Sequence, residues 1–228
     1  MVNFLVKLWQ ALFTKKETNK TMKNPKAFYD VFRRYHGALT QAEVDSLEAL
    51  LAAAAKEGLS TKHTAVVLGQ CYHEAGRRFT PIKETVFRYH KDQNPSDATV
   101  AARLETAFAK GQLPWVKTPY WRADASGCYW FGRGLIQITH KANYQKLGEV
   151  LGLDLTTDPS VALDPVIAAR IAVVGCARGL FTGYRLSDAK TDEDYRRVVN
   201  GDYRDKALQA DLSDYYKRFE AALSAGGW

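Results

Sequence analysis

The stretch TQAEVDSLEALLAAAAKEGLSTKHTAVVLGQCYHEAG, residues 40–76, decides the class of the fold. Thr40 and Glu43 make a capping box ahead of Val44, Leu47, Leu50, Leu51 and Ala54, apolar positions three and four apart that share one helix face. Gly58 stops that helix, and Ser60 caps a second that runs to about Ala75. The same punctuation recurs downstream. Ser96, after Pro95, caps a helix through Phe108 that ends at Gly111, and Lys141 to Leu151 closes on Gly152. Asp164-Pro165 pairs an N-cap with proline at the first helical position and opens a run through about Cys176. Two further helices are expected at 192–199 and 206–223. Alternation with period two is confined to a short stretch at 135–139. The pattern predicts a mainly α fold, with residues 1–26 as a basic leader before a single domain over 27–228.

The chain has 228 residues and is 46% hydrophobic, enough to bury one sizeable core. No apolar run approaches the roughly 18 residues of a membrane span, and no low-complexity tract or solenoid repeat is present. A soluble globular protein is expected. Cys71, Cys128 and Cys176 lie too far apart for paired metal ligands and are odd in number for a disulfide framework, so they read as thiols of a reducing compartment. Most of the net charge of +7 sits in the leader, where Lys7, Lys15, Lys16, Lys20, Lys23 and Lys26 face one acid, Glu17. Phe4, Leu5, Leu8, Trp9, Leu12 and Phe13 fall there at helical spacing, an amphipathic helix that either packs on the domain or touches an anionic membrane or wall. Lys7 interrupts its apolar part and no small-residue cleavage site follows, so it does not read as a cleavable signal.

Two glutamates carry the candidate chemistry. Val67, Cys71 and Glu74 share a stripe of the second helix, so Glu74 continues an apolar face, a setting that favours the protonated form a general acid needs. An unbroken helix would set Glu84 roughly 15 Å further along the axis. Gly76 and Pro81 argue against such continuation and for a loop that faces Glu84 back toward Glu74. An inverting glycosidase needs its two carboxyl groups roughly 6.5 to 9.5 Å apart, with room for a water. The competing reading of Glu74 is a surface charge at a fraying helix end. His73-Glu74 matches the start of a zinc-binding HExxH, but Arg77 stands where the second histidine belongs, so no metal is expected.

The other informative stretch is YWFGRGLIQITHKANY, residues 129–144. Gly132 and Gly134 flank Arg133 and allow close backbone approach. Gln137, Thr139 and Asn143 offer short donors and acceptors, and Tyr129, Trp130, Phe131 and Tyr144 offer flat apolar faces. Aromatic faces beside amides suit a sugar ring, which is apolar on its faces and hydroxylated at its edge. A glycine turn leading into a core segment would give the same spacing.

HEAG around Glu74, KET around Glu84, FGRGLIQITHKANY at 131–144 and VVNG at 198–201 together resemble glycoside hydrolase family 19, the lysozyme-like chitinases and the phage endolysins related to them. The resemblance covers about residues 60–223. It implies a lysozyme-like helical domain with a deep cleft, Glu74 as general acid, Glu84 as general base, and Thr139 helping to hold the attacking water. It implies that Asn143 engages the N-acetyl group and that His73, Tyr129, Arg133, Gln137, Tyr144 and Asn200 line the substrate site. No cofactor and no metal are implied. Peptidoglycan is the expected substrate, as for an endolysin that acts as a monomer on the wall in the periplasm after release from the host cytoplasm; chitin hydrolysis and a noncatalytic wall-binding role are the alternatives. Nucleic acid is not an expected partner. The chain departs from the family pattern in a Glu74–Glu84 gap one residue longer than the common bacterial spacing, in Asp202 where a further glycine is frequent, and in lacking the disulfide cysteines of plant members.

Overall fold

The computed structural model describes residues 21–86, 88 and 92–228. The amphipathic leader helix expected at 1–26 falls, for residues 1–20, outside them. The described residues form eight α-helices, two short 3₁₀ turns and one two-stranded ribbon. The helices are α1 (Pro25–His36), α2 (Gln41–Lys56), α3 (Thr61–Glu74), α4 (Asp97–Ala109), α5 (Lys141–Leu151), α6 (Pro165–Arg178), α7 (Asp192–Arg197) and α8 (Lys206–Ala225). The expected caps form as hydrogen bonds. Thr40 Oγ1 accepts the Glu43 N–H while the Glu43 carboxylate accepts the Thr40 N–H, Ser60 Oγ accepts the His63 N–H, and Asp164 Oδ1 accepts those of Val166 and Ile167. Each satisfies backbone donors that the first helical turn leaves unpaired.

The main core surrounds α3, which is buried continuously from Thr64 to Cys71 and packs against α8, while α2 packs against α6. Gly69 permits the α3–α8 approach: a Cβ there would lie 2.6 Å from the Tyr216 ring. Helix α1 was not among the expected elements. Asn24 caps it and Pro25 occupies its first turn; Phe32 buries against Phe219 of α8, and Phe28 packs beside Phe32. The thiols of Cys71 and Cys176 are fully buried, and burial pushes Cys176 up to about 12. No described helix is long and apolar enough to cross a membrane.

A second, smaller core of Val100, Leu104, Leu113, Trp121 and Phe131 packs under α4. The ribbon joins it to the main body: β1 (Ile82–Lys83) pairs antiparallel with β2 (Arg133–Gly134). The extended stretch expected at 135–139 is instead a turn, closed by paired Arg133 and Ile138 hydrogen bonds. Positive φ at Gly134 (89°) and Gln137 (54°) reverses the chain before a strand can form. Asp97 at the start of α4 ties this region together, accepting from Lys83 at 2.8 Å and from Arg133 at 2.6 Å.

Candidate active site

Helix α3 ends at Glu74, and left-handed conformations at Gly76 (φ 71°) and Arg77 (φ 63°) turn the chain back toward β1. The loop after β1 then delivers Glu84, whose backbone N–H donates to the Gly132 carbonyl at 2.7 Å. Glu74 and Glu84 thus line one groove of about 310 Å³. Gln137 lies on the same wall, and Arg103, Lys110 and Trp115 on α4 and the loop after it contribute the other.

The two carboxylates are held differently. Glu84 accepts the Tyr120 hydroxyl at 2.7 Å on Oε1 and the Gly132 N–H at 2.8 Å on Oε2. Both donors are neutral. Burial first, then the charge of Glu84, raise the Tyr120 phenol well above its ordinary range and keep it a donor. Gly132 is needed for this approach, because a Cβ there would lie 2.8 Å from Gln137 Oε1 and 3.4 Å from Glu84 Oε2. Glu74 meets a cation instead. Arg196 Nη1 donates to Glu74 Oε1 at 2.6 Å and to Gln70 Oε1 at 2.9 Å, while Arg196 Nε and Nη2 hold Asp202 bidentately at 2.6 and 2.8 Å. Burial of Arg196 opposes its charge, but Asp202 and Glu74 more than offset this and raise it above its ordinary value. The apolar setting expected around Glu74 is therefore replaced by a buried ion-pair network, whose far end Gln70 secures on Tyr216 at 2.6 Å.

The remaining expected residues divide. Gln137 Nε2 donates to the carbonyls of Ile82 and Gly134, fixing the wall beside Glu84. Thr139 Oγ1 donates to the Gln137 carbonyl at 3.0 Å, and Asn143 Nδ2 to that of Thr139 at 2.7 Å, so the three form one chain of contacts of which Gln137 is the member that lines the groove. Arg133 and Tyr144 do not reach substrate space: both are 0% exposed. Arg133 lies 3.8 Å over the Phe131 ring and donates to Asp97, Tyr129 and Tyr144, and the Tyr144 hydroxyl donates to the Phe131 carbonyl. A buried guanidinium needs such partners, and they lie behind the groove wall. The Tyr129 ring packs on the smaller core, and His73 is half-buried, its basicity lowered by burial. Neither lines the groove with Glu74 and Glu84. Asn200 is exposed after α7, its Oδ1 accepting the Gly201 N–H, with its backbone N–H on the Arg196 carbonyl. Sequence reasoning missed Arg196, Tyr120 and the role of Asp202. In YRRVV, residues 195–199, nothing local separates Arg196 from its neighbour Arg197. Among the described residues no cluster of His, Cys, Asp and Glu could hold a metal ion.

A mainly helical domain with two differently supported carboxylates on one groove is the arrangement of a glycosidase. The profile of the chitinase class I family matches residues 15–176, and the chain belongs to that family, glycoside hydrolase family 19. Chitinase 11 of Oryza sativa subsp. japonica is 56% identical over 45 residues, 19% of this chain and 18% of that protein. Endochitinase 4 of Solanum tuberosum is 48% identical over 50 residues, 22% of this chain and 17% of that protein. The chain therefore spans less than a fifth of the length of these curated relatives. The crystal structure of chitinase C from Streptomyces griseus superimposes with a TM-score of 0.56 at 18% identity, over 86% of this chain and 75% of that one. A bacterial family 19 chitinase structure gives 0.56 at 18% identity, over 85% and 93%. These likenesses establish the lysozyme-like helical fold.

Proposed function

We propose that the protein hydrolyses β-1,4 bonds between N-acetylated amino sugars by a single inverting displacement. The observation that carries this reading is the pair Glu74 and Glu84 on one groove, each oriented by its own hydrogen-bond partners. Glu74 is the general acid. With Oε1 taken by Arg196, its proton travels on Oε2 to the leaving oxygen, and Arg196 stabilises the carboxylate left behind. Glu84 is the general base, its two oxygens aimed by Tyr120 and Gly132 so that it takes a proton from a water attacking the opposite face of the anomeric carbon. Thr139 helps to hold that water, and Asn143 engages the N-acetyl group.

The names of the relatives favour chitin as the glycan. Murein, expected from the sequence, shares the bond type and is the second reading, supported by Arg88 and Lys110 on the groove: these cations suit a wall polymer bearing carboxylates better than a neutral one. Purified protein incubated with N-acetylchitohexaose and with isolated sacculi tests both. Release of fragments from either, lost by about a thousand-fold in Glu74→Gln and Glu84→Gln, is the expected result. No release from either substrate would leave a noncatalytic wall-binding role as the better account, and equal release by wild type and both variants would refute the assignment of Glu74 and Glu84.

A further inference from the structure

The groove continues beyond the two carboxylates along α4. Arg103, Thr106, Ala107 and Lys110 recur at three and four residues and form one stripe on its wall. Gly111 (φ 66°) then turns the chain so that Gln112 and Trp115 extend that wall. Trp115 is 71% exposed, whereas Trp121 and Trp130 are 0% and 5% exposed and Trp228 packs on the main core. The backbone that carries Trp115 is anchored: Leu113 is buried in the smaller core, and the Val116 N–H donates to the Leu113 carbonyl at 3.0 Å. An aromatic face open on a groove is a stacking surface for the apolar face of a pyranose.

The charge beside it is directed. Arg103 is held by Asp92 at 2.6 Å. The acids of α4 are engaged elsewhere, Asp97 by Lys83 and Arg133 and Glu105 by Arg122 and Trp121. Glu74 and Glu84 have the partners already described. Lys110, at the C-terminal end of α4, therefore presents its positive charge to the groove next to Trp115. We infer that Trp115, Gln112 and Lys110 form a glycan subsite apart from the acid–base pair, in which a sugar ring stacks on the indole while Lys110 takes a carboxylate carried by that sugar. This rests on the glycan-hydrolase reading of the groove and adds to it a preference for an acidic glycan.

The full chain carrying Glu74→Gln, which binds without turnover, is titrated with N-acetylchitohexaose and with a murein tetrasaccharide that keeps its peptide carboxylates, following tryptophan emission and heat. The expected result is quenching by both ligands and tighter binding of the carboxylated one. Adding Trp115→Ala weakens both about ten-fold, equivalent to about 1.4 kcal/mol. Trp115→Phe restores affinity to within about three-fold yet loses most of the emission change. Lys110→Gln, like 0.5 M salt on the parent protein, brings the affinity ratio of the two ligands toward one. Unchanged affinity in Trp115→Ala overturns the stacking subsite, and an unchanged ratio in Lys110→Gln overturns its carboxylate preference. If wild type cleaves glycan while these variants bind as the parent does, the subsite alone fails; if wild type cleaves neither glycan, the hydrolase reading fails with it.

Discussion

Replacing Arg196 with methionine keeps much of the side-chain volume and removes the charge on which three partners converge. The guanidinium is 2% exposed, the Glu74 side chain 16%, and Gln70 0%. Four hydrogen bonds between 2.6 and 2.9 Å are lost together, and Glu74 and Gln70 are left facing an apolar stem. Asp202, at 44% side-chain exposure, can turn to water and contributes little to the penalty. Removing one member of a buried ion pair costs about 3 to 5 kcal/mol, because the surviving partner is left uncompensated. At about 2 to 4 °C per kcal/mol for a chain of this size, the melting temperature should fall by about 10 °C. Urea unfolding followed by circular dichroism gives the free energy directly. In a Glu74→Gln background the same replacement should cost at least 1 kcal/mol less, the mark of coupled neighbours. On activity, Arg196→Met should lower kcat about a hundred-fold while glycan affinity stays within a few-fold. Stability of Arg196→Met within 1 kcal/mol of wild type, or costs that simply add in the double variant, would refute the assignment of Arg196 as the support of Glu74.

Gly132→Ala pushes a methyl against Gln137 and Glu84, so kcat should drop at least ten-fold with the melting temperature changed by only a few degrees; hydrolysis rates and calorimetry on the same sample check this. Tyr120→Phe removes one charge-assisted bond, worth about 1.5 to 3 kcal/mol, and should lower kcat ten-fold or more at unchanged KM in steady-state assays. Acid should destabilise the fold through His36, which stacks on Phe219 and whose basicity burial lowers, with help from Arg218, from 6.5 to about 4. Between those values the unfolded chain binds a proton that the folded one refuses, so stability falls as pH drops from 6.5 to 4 and is unaffected by this group outside that window. Partial solvent screening limits the loss to about 1 to 2 kcal/mol. Urea midpoints of His36→Phe should vary less over this range than those of wild type.

The helices are legible because their caps are local: Thr40 with Glu43, Ser60, and Asp164 with Pro165 each settle a helix start within four residues. Asn24-Pro25 carries the same signal as Asp164-Pro165, but the surrounding lysines read as leader, and the packing that holds α1 comes from α8 at the far end of the chain. Glu74, Glu84 and Gln137 are legible as groove residues from a helix end, a glycine–proline loop and a doubled glycine. Arg133 and Tyr144 show the limit of that logic. Their types suit a sugar site, yet Asp97, in a different segment, draws the guanidinium inward. Arg196 and Tyr120 are invisible for the complementary reason: each acts on a carboxylate distant in sequence, and no periodicity or spacing records such a pairing.

A single displacement by water, with Glu74 as acid and Glu84 as base, fixes the stereochemistry of the first product. Proton NMR of N-acetylchitohexaose or murein strands during the first minutes of hydrolysis should show the α-anomer at the new reducing end before mutarotation. Initial appearance of the β-anomer would contradict it, because retention requires a covalent intermediate and a second displacement.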